Sequence, residues 1–119
     1  MAAKLKKGDK PPELQGKIAL VTGAASGIGR AYAEIMAEHA ARVCIFDIDQ
    51  SGLDETVAAI REATDLPIAC GFGISKAEHV RAVVEHADAA IVGSALVRAA
   101  REGVEAVGAL AKALREALE

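Results

Sequence analysis

Val21-Thr22-Gly23-Ala24-Ala25-Ser26-Gly27-Ile28-Gly29-Arg30 follows an apolar run from Lys17 to Val21 and opens a stretch in which Ala31, Ile35 and Met36 return on one helical face. It therefore marks a strand turning into a helix. Glycine has a mechanical use at such a turn. Without a Cβ the backbone takes positive φ and can approach a pyrophosphate closely, whose charge then meets free N–H groups at the helix start. Glycines at strand-to-helix turns also serve packing alone, and that reading stands beside the ligand reading.

The longer stretch Leu14-Gln15-Gly16-Lys17-Ile18-Ala19-Leu20-Val21-Thr22-Gly23-Ala24-Ala25-Ser26-Gly27-Ile28-Gly29 resembles the opening of a short-chain dehydrogenase/reductase, whose fingerprint is T-G-x-x-x-G-x-G. A second mark of dinucleotide sites is an acidic residue about 20 positions on, at the end of the next strand, and Arg42-Val43-Cys44-Ile45-Phe46-Asp47 supplies it. The resemblance covers residues 14 to about 62 and implies an NAD site built from Gly23, Ser26, Ile28, Gly29 and Asp47. It stops there. That family needs a Ser, and a Tyr with a Lys four positions later, whereas the one tyrosine, Tyr32, has Met36 at that spacing. Without a lysine to lower its pKa, Tyr32 is expected to be an ordinary helix residue.

Downstream, Leu66-Pro67-Ile68-Ala69-Cys70-Gly71-Phe72-Gly73-Ile74-Ser75-Lys76 and Ala87-Asp88-Ala89-Ala90-Ile91-Val92-Gly93-Ser94-Ala95-Leu96-Val97 flank a helical stretch. This part is similar to the last quarter of a (β/α)8 barrel of the tryptophan synthase alpha subunit family. The resemblance implies a phosphate cup formed by the last two loops, with Gly73 and Ile74 from one and Gly93 and Ser94 from the other. The acid and base carboxylates of that family's indole-glycerol-phosphate lyase chemistry lie on earlier strands of its barrel.

Two resemblances in one chain predict an engineered chimera, joined at about residues 58 to 66, since both parents share parallel strands and right-handed crossovers. A de novo scaffold of this kind has no evolved activity and no catalytic residues. It requires no cofactor, and its glycine loops would retain at most weak phosphate or NAD binding. The alternative is a minimal NAD-binding module or a remnant NAD-dependent oxidoreductase.

At 119 residues there is room for one core, and 52% hydrophobic residues with only 3% aromatics mean that Ala, Val, Ile and Leu must build it. The reading divides the chain into a flexible basic lead, residues 1–13, and a single α/β domain, residues 14–119, its first part to residue 62 of Rossmann type and the rest barrel-derived. The lead carries Lys4, Lys6, Lys7 and Lys10 without aromatic or arginine platforms, which argues against nucleic acid. No apolar run reaches the roughly 20 residues of a membrane span, and no signal-peptide core is present, so a cytoplasmic location without membrane contact is expected. Cys44 and Cys70 lie in apolar strands without nearby histidine and predict neither a disulfide nor a metal site. His39, His79 and His86 fall on helices or their ends.

Periodicity predicts strands at 17–22, 42–47, 67–71 and 88–92 and helices at 27–39, 50–63 and 76–86, then a short helix after Gly93 and a longer one ending near Leu118. Ser75 with Glu78 forms a capping-box pattern. Burial of both sheet faces within one chain favours the flavodoxin-like, three-layer strand order 2-1-3-4. Strands 43–47 and 88–92 then become edges, which predicts a monomer or an edge-paired homodimer.

Overall fold

The computed structural model describes residues 12–119. The expected basic lead falls almost wholly outside them; its last residues enter a single 3-10 turn at Pro12–Leu14. Four strands follow, β1 (Ile18–Thr22), β2 (Arg42–Phe46), β3 (Ile68–Gly71) and β4 (Ala89–Ala90). They alternate with helices α1 (Gly27–Glu38), α2 (Gln50–Ala63) and α3 (Ala77–Val84), and α4 (Ser94–Ala100) and α5 (Val104–Glu116) close the chain. The βα alternation is therefore as the periodicity predicts. β4 is shorter than expected, yet ladder bonds run past its ends, with the Asp88 amide donating to Ile68 O at 2.9 Å and the Ile91 amide to Cys70 O at 3.0 Å.

The sheet is parallel, and its order is β1-β2-β3-β4. Val43 pairs with Ile68, so β3 lies beside β2 and not beside β1. This corrects the 2-1-3-4, flavodoxin-like arrangement: β2 is interior, and the edges are β1 and β4. The physical reason lies in the burial pattern. Val21, Val43, Ile45, Ile68 and Cys70 are buried on one face, whereas their strand neighbours Ile18, Leu20, Thr22 and Arg42 on the other are exposed. The expectation of helices on both faces assumed that one chain must cover the whole sheet, and this chain covers one side.

On the covered side, small residues let the helices come close. Ala33 and Ala37 of α1, Leu53, Val57 and Ile60 of α2 and Val80 and Val83 of α3 join the strand residues in one cluster, with Leu114 of α5 at its margin. The two cysteines are free, and they point to opposite faces: Cys70 is in the core, where burial pushes its thiol up to about 11, and Cys44 is half-buried on the open face. At the far end, Asp88 ties three elements together. Its carboxylate accepts from the Ile68 amide at 2.9 Å and pairs with Arg61 of α2, whose guanidinium also donates to Leu66 O at 3.1 Å.

Candidate functional site

All four strands end on one side in a cleft of about 480 Å³ lined by Thr22 and Gly23, Phe46, Asp47 and Ile48, Gly71 to Ile74, and Ile91, Gly93 and Ser94. Of the residues singled out in the sequence, Gly23, Asp47, Gly73, Ile74, Gly93 and Ser94 meet there. Ser26, Ile28 and Gly29 do not. Sequence reasoning missed the apolar floor, Phe46, Phe72 and Ile91. Its one signal was Gly71: a Cβ there would sit 3.0 Å from the Phe46 ring, so the ring lies flush on a glycine at the strand end.

The glycine-rich turn after β1 is occupied by its own protein. The Ala24 amide donates to Phe46 O at 3.1 Å and the Ala25 amide to Asp47 Oδ2 at 3.0 Å, and both residues are buried. Asp47 Oδ1 accepts from the Ile48 and Asp49 amides at 2.7 and 3.2 Å. The Ala25 bond is the foremost reason that the Asp47 carboxyl lies below the usual carboxylate range, followed by the bond from Asp49. From α2, Thr56 Oγ1 lies 2.8 Å from Ala24 O, while Gly52 presses so close that a Cβ would meet the Ala25 Cβ at 2.7 Å. Gly29 is needed for the same reason, because a Cβ there would stand 2.1 Å from Gly23 O. Asp47, the carboxylate expected to meet a dinucleotide, instead joins the Ala24 and Ala25 amides in locking the first loop onto the second βα unit.

The loops after β3 and β4 are different. Gly73 has φ of +86°, which favours glycine, and open space where a side chain would project. Gly93 has a φ of −131° and is equally unobstructed. The expected capping box at Ser75 is not formed: the N-cap of α3 is Lys76, and the Ser75 amide donates to His79 Nδ1 at 3.1 Å. The His79 ring also packs against Phe72, with centroids 5.7 Å apart. A histidine given no role by the sequence thus fixes the loop that carries Gly73. Among the described residues, no cluster of His, Cys, Asp and Glu could hold a metal.

The family profile described as tryptophan synthase alpha chain matches residues 47–118. The chain belongs to the tryptophan synthase alpha family. The chain is 45% identical over 75 residues to the tryptophan synthase alpha chain of Rippkaea orientalis, covering 58% of this chain and 28% of that one. With the corresponding protein of Aquifex aeolicus the identity is 43% over 67 residues, covering 56% of this chain and 26% of that one. Thus the chain spans little more than a quarter of the length of these relatives. Among solved structures, Mycobacterium tuberculosis tryptophan synthase in an open form superimposes with a TM-score of 0.72 at 29% identity, over 85% of this chain and 39% of that one. A structure from Aquifex aeolicus gives 0.70 at 31% identity, over 85% and 40%.

These matches overturn the chimera. The family match begins at Asp47, upstream of the supposed junction and across the carboxylate assigned to NAD. The structural match covers more residues than lie between 47 and the C-terminus, so it reaches into the first βα units as well. Nothing in the comparisons shows a dehydrogenase-like N-terminal half, and with it fall the NAD module, the remnant oxidoreductase and the inactive engineered scaffold. The relatives form an enzyme family. The strand-turn-glycine pattern misled because a parallel βα unit makes the same packing demand in a barrel as in a Rossmann sheet.

Proposed function

We propose that this chain supplies the phosphate-holding part of a tryptophan synthase alpha-type lyase site, binding a phosphorylated small molecule in the cleft at the strand ends. The observation that carries this reading is the convergence of Gly73, Ile74, Gly93 and Ser94 on one cleft, inside the segment that matches the family. Open glycines let a phosphate approach the backbone, and the amides near residues 73–74 and 94–95 provide the donors. Phe46, Phe72 and Ile91 give the cleft an apolar part suited to the non-phosphate end of such a substrate. Asp47 adds an anionic wall whose oxygens are already held by backbone amides, and so serves to shape the site. No cofactor is required by this chemistry. The family context supports a cytoplasmic protein without nucleic-acid partners; none of the described helices is long and apolar enough to cross a membrane.

Titration with inorganic phosphate, followed by heteronuclear NMR, tests the site. The amides of residues 73, 74, 94 and 95 should shift at millimolar phosphate. A Gly93→Val variant should abolish those shifts while keeping its fold, because nothing lies within 4 Å of the new Cβ. Unmoved amides in the parent chain would defeat the proposal.

A further inference from the structure

The sheet's open face is apolar. Ile18 and Leu20 are each 67% exposed, and Cys44, Phe46 and Ala69 carry the apolar surface across β2 and β3, with Arg42 at the first position of β2 and Thr22 at the last of β1 as polar residues at its two ends. The helical layer is bare at both ends as well. On a wheel of about 100° per residue, Ile28, Tyr32 and Ile35 lie opposite Arg30, whose guanidinium reaches Glu55 of α2, so they form the flank of α1 turned away from α2. At the other end, Val104 and Leu118 of the α5 region are exposed and lie 14 positions apart with Ala111 midway, on one flank of the helix. Exposed apolar surface thus occurs at the β1/α1 edge, at the α5 edge near β4, and on the sheet face between them.

We propose that two copies of this chain associate about a two-fold axis to close an eight-stranded barrel. A four-stranded parallel sheet in sequential order has half the strands of such a barrel, whose inner face is filled by side chains. The chain also covers 39–40% of the structures it superimposes on. Half a turn about the barrel axis sets β4 of each copy parallel to β1 of the other. This head-to-tail contact closes after two copies and leaves no sheet edge. The same rotation brings the Val104–Leu118 flank of one copy against the Ile28–Tyr32–Ile35 flank of its partner, and turns both open faces inward. The bonding edge of β1 is defined: Lys17 O accepts from the Arg42 amide, so by alternation the amides of Ile18, Leu20 and Thr22 point outward, to where the partner's β4 would lie.

Sedimentation equilibrium and hydrogen exchange on the whole chain test this together. The expected result is a dimer in which the amides of Ile18, Leu20 and Thr22 gain protection as concentration rises. Leu20→Glu, on the open face, should raise the dissociation constant by about a hundredfold or more, since each dimer buries two such leucines. Tyr32→Glu, on the outer flank of α1, should weaken the dimer in the same direction and serves in place of Leu20→Glu if that variant does not fold. A chain that stays monomeric into the submillimolar range overturns the proposal, as do open-ended larger assemblies or a dimer whose β1 amides exchange as fast as in the monomer. None of these outcomes bears on phosphate binding, which is read at residues 73–95.

Discussion

At single residues, the fold depends on close contacts that leave little choice of side chain. Gly29 is the tightest, with α1 pressed onto the Gly23 carbonyl. Gly29→Ala should cost about 1–3 kcal/mol in denaturant unfolding, as overpacking forces α1 off the end of β1. Thr56 is buried, and its one hydroxyl proton lies between the Ala24 carbonyl across the two loops at 2.8 Å and Gly52 O of its own helix at 3.0 Å; Thr56→Val removes the donor from the buried Ala24 carbonyl. A loss of about 1–3 kcal/mol is expected by the same measurement, more than the near-equal volume of the two side chains would suggest. Asp88 is held below the usual carboxylate range by Arg61 first and the Ile68 amide second. A carboxyl lowered on folding contributes stability that is complete above about pH 4 and is lost as pH falls through the folded value. Urea unfolding of Asp88→Asn should therefore show a deficit against the parent chain at neutral pH that narrows as pH falls to about 3.

At the scale of elements, the turn between α1 and β2 is unusual because Ala40 is the only described residue other than glycine with positive φ, at +70°. Its methyl is buried, so Ala40→Gly exchanges a small packing loss for relief of left-handed strain of about 1–2 kcal/mol. The expected outcome is a thermal midpoint unchanged or raised, where an alanine-to-glycine change inside α1 would lower it. The helices were legible from their apolar spacing, and so were the strands, as short apolar runs such as Ile18 to Val21 and Val43 to Phe46. The neighbours of each strand were not legible. Nothing in the spacing of Val43 or Ile68 records whether β3 lies beside β2 or beside β1, and the argument for 2-1-3-4 turned on burying Ile18 and Leu20, which the chain leaves exposed. The site was half legible for a related reason. Gly73 and Gly93 are glycines with space before them, whereas Gly29 and Gly52 are glycines with none, and a sequence writes both with the same letter.

At the scale of the whole molecule, sequential order has a kinetic meaning. Paired residues of neighbouring strands stand 20 to 25 positions apart throughout the sheet. Every closure is then of similar and modest entropic cost, and none waits on a distant segment. Refolding measured by stopped flow should lack a slow phase from long-range strand pairing, and a Val43→Ala change should slow refolding more than Ala90→Gly, since β2 joins two ladders and β4 one. A growing polypeptide could add each βα unit to the one already formed, in the order of synthesis. In a 2-1-3-4 sheet, the first strand would instead have had to keep its second edge free until the third strand emerged.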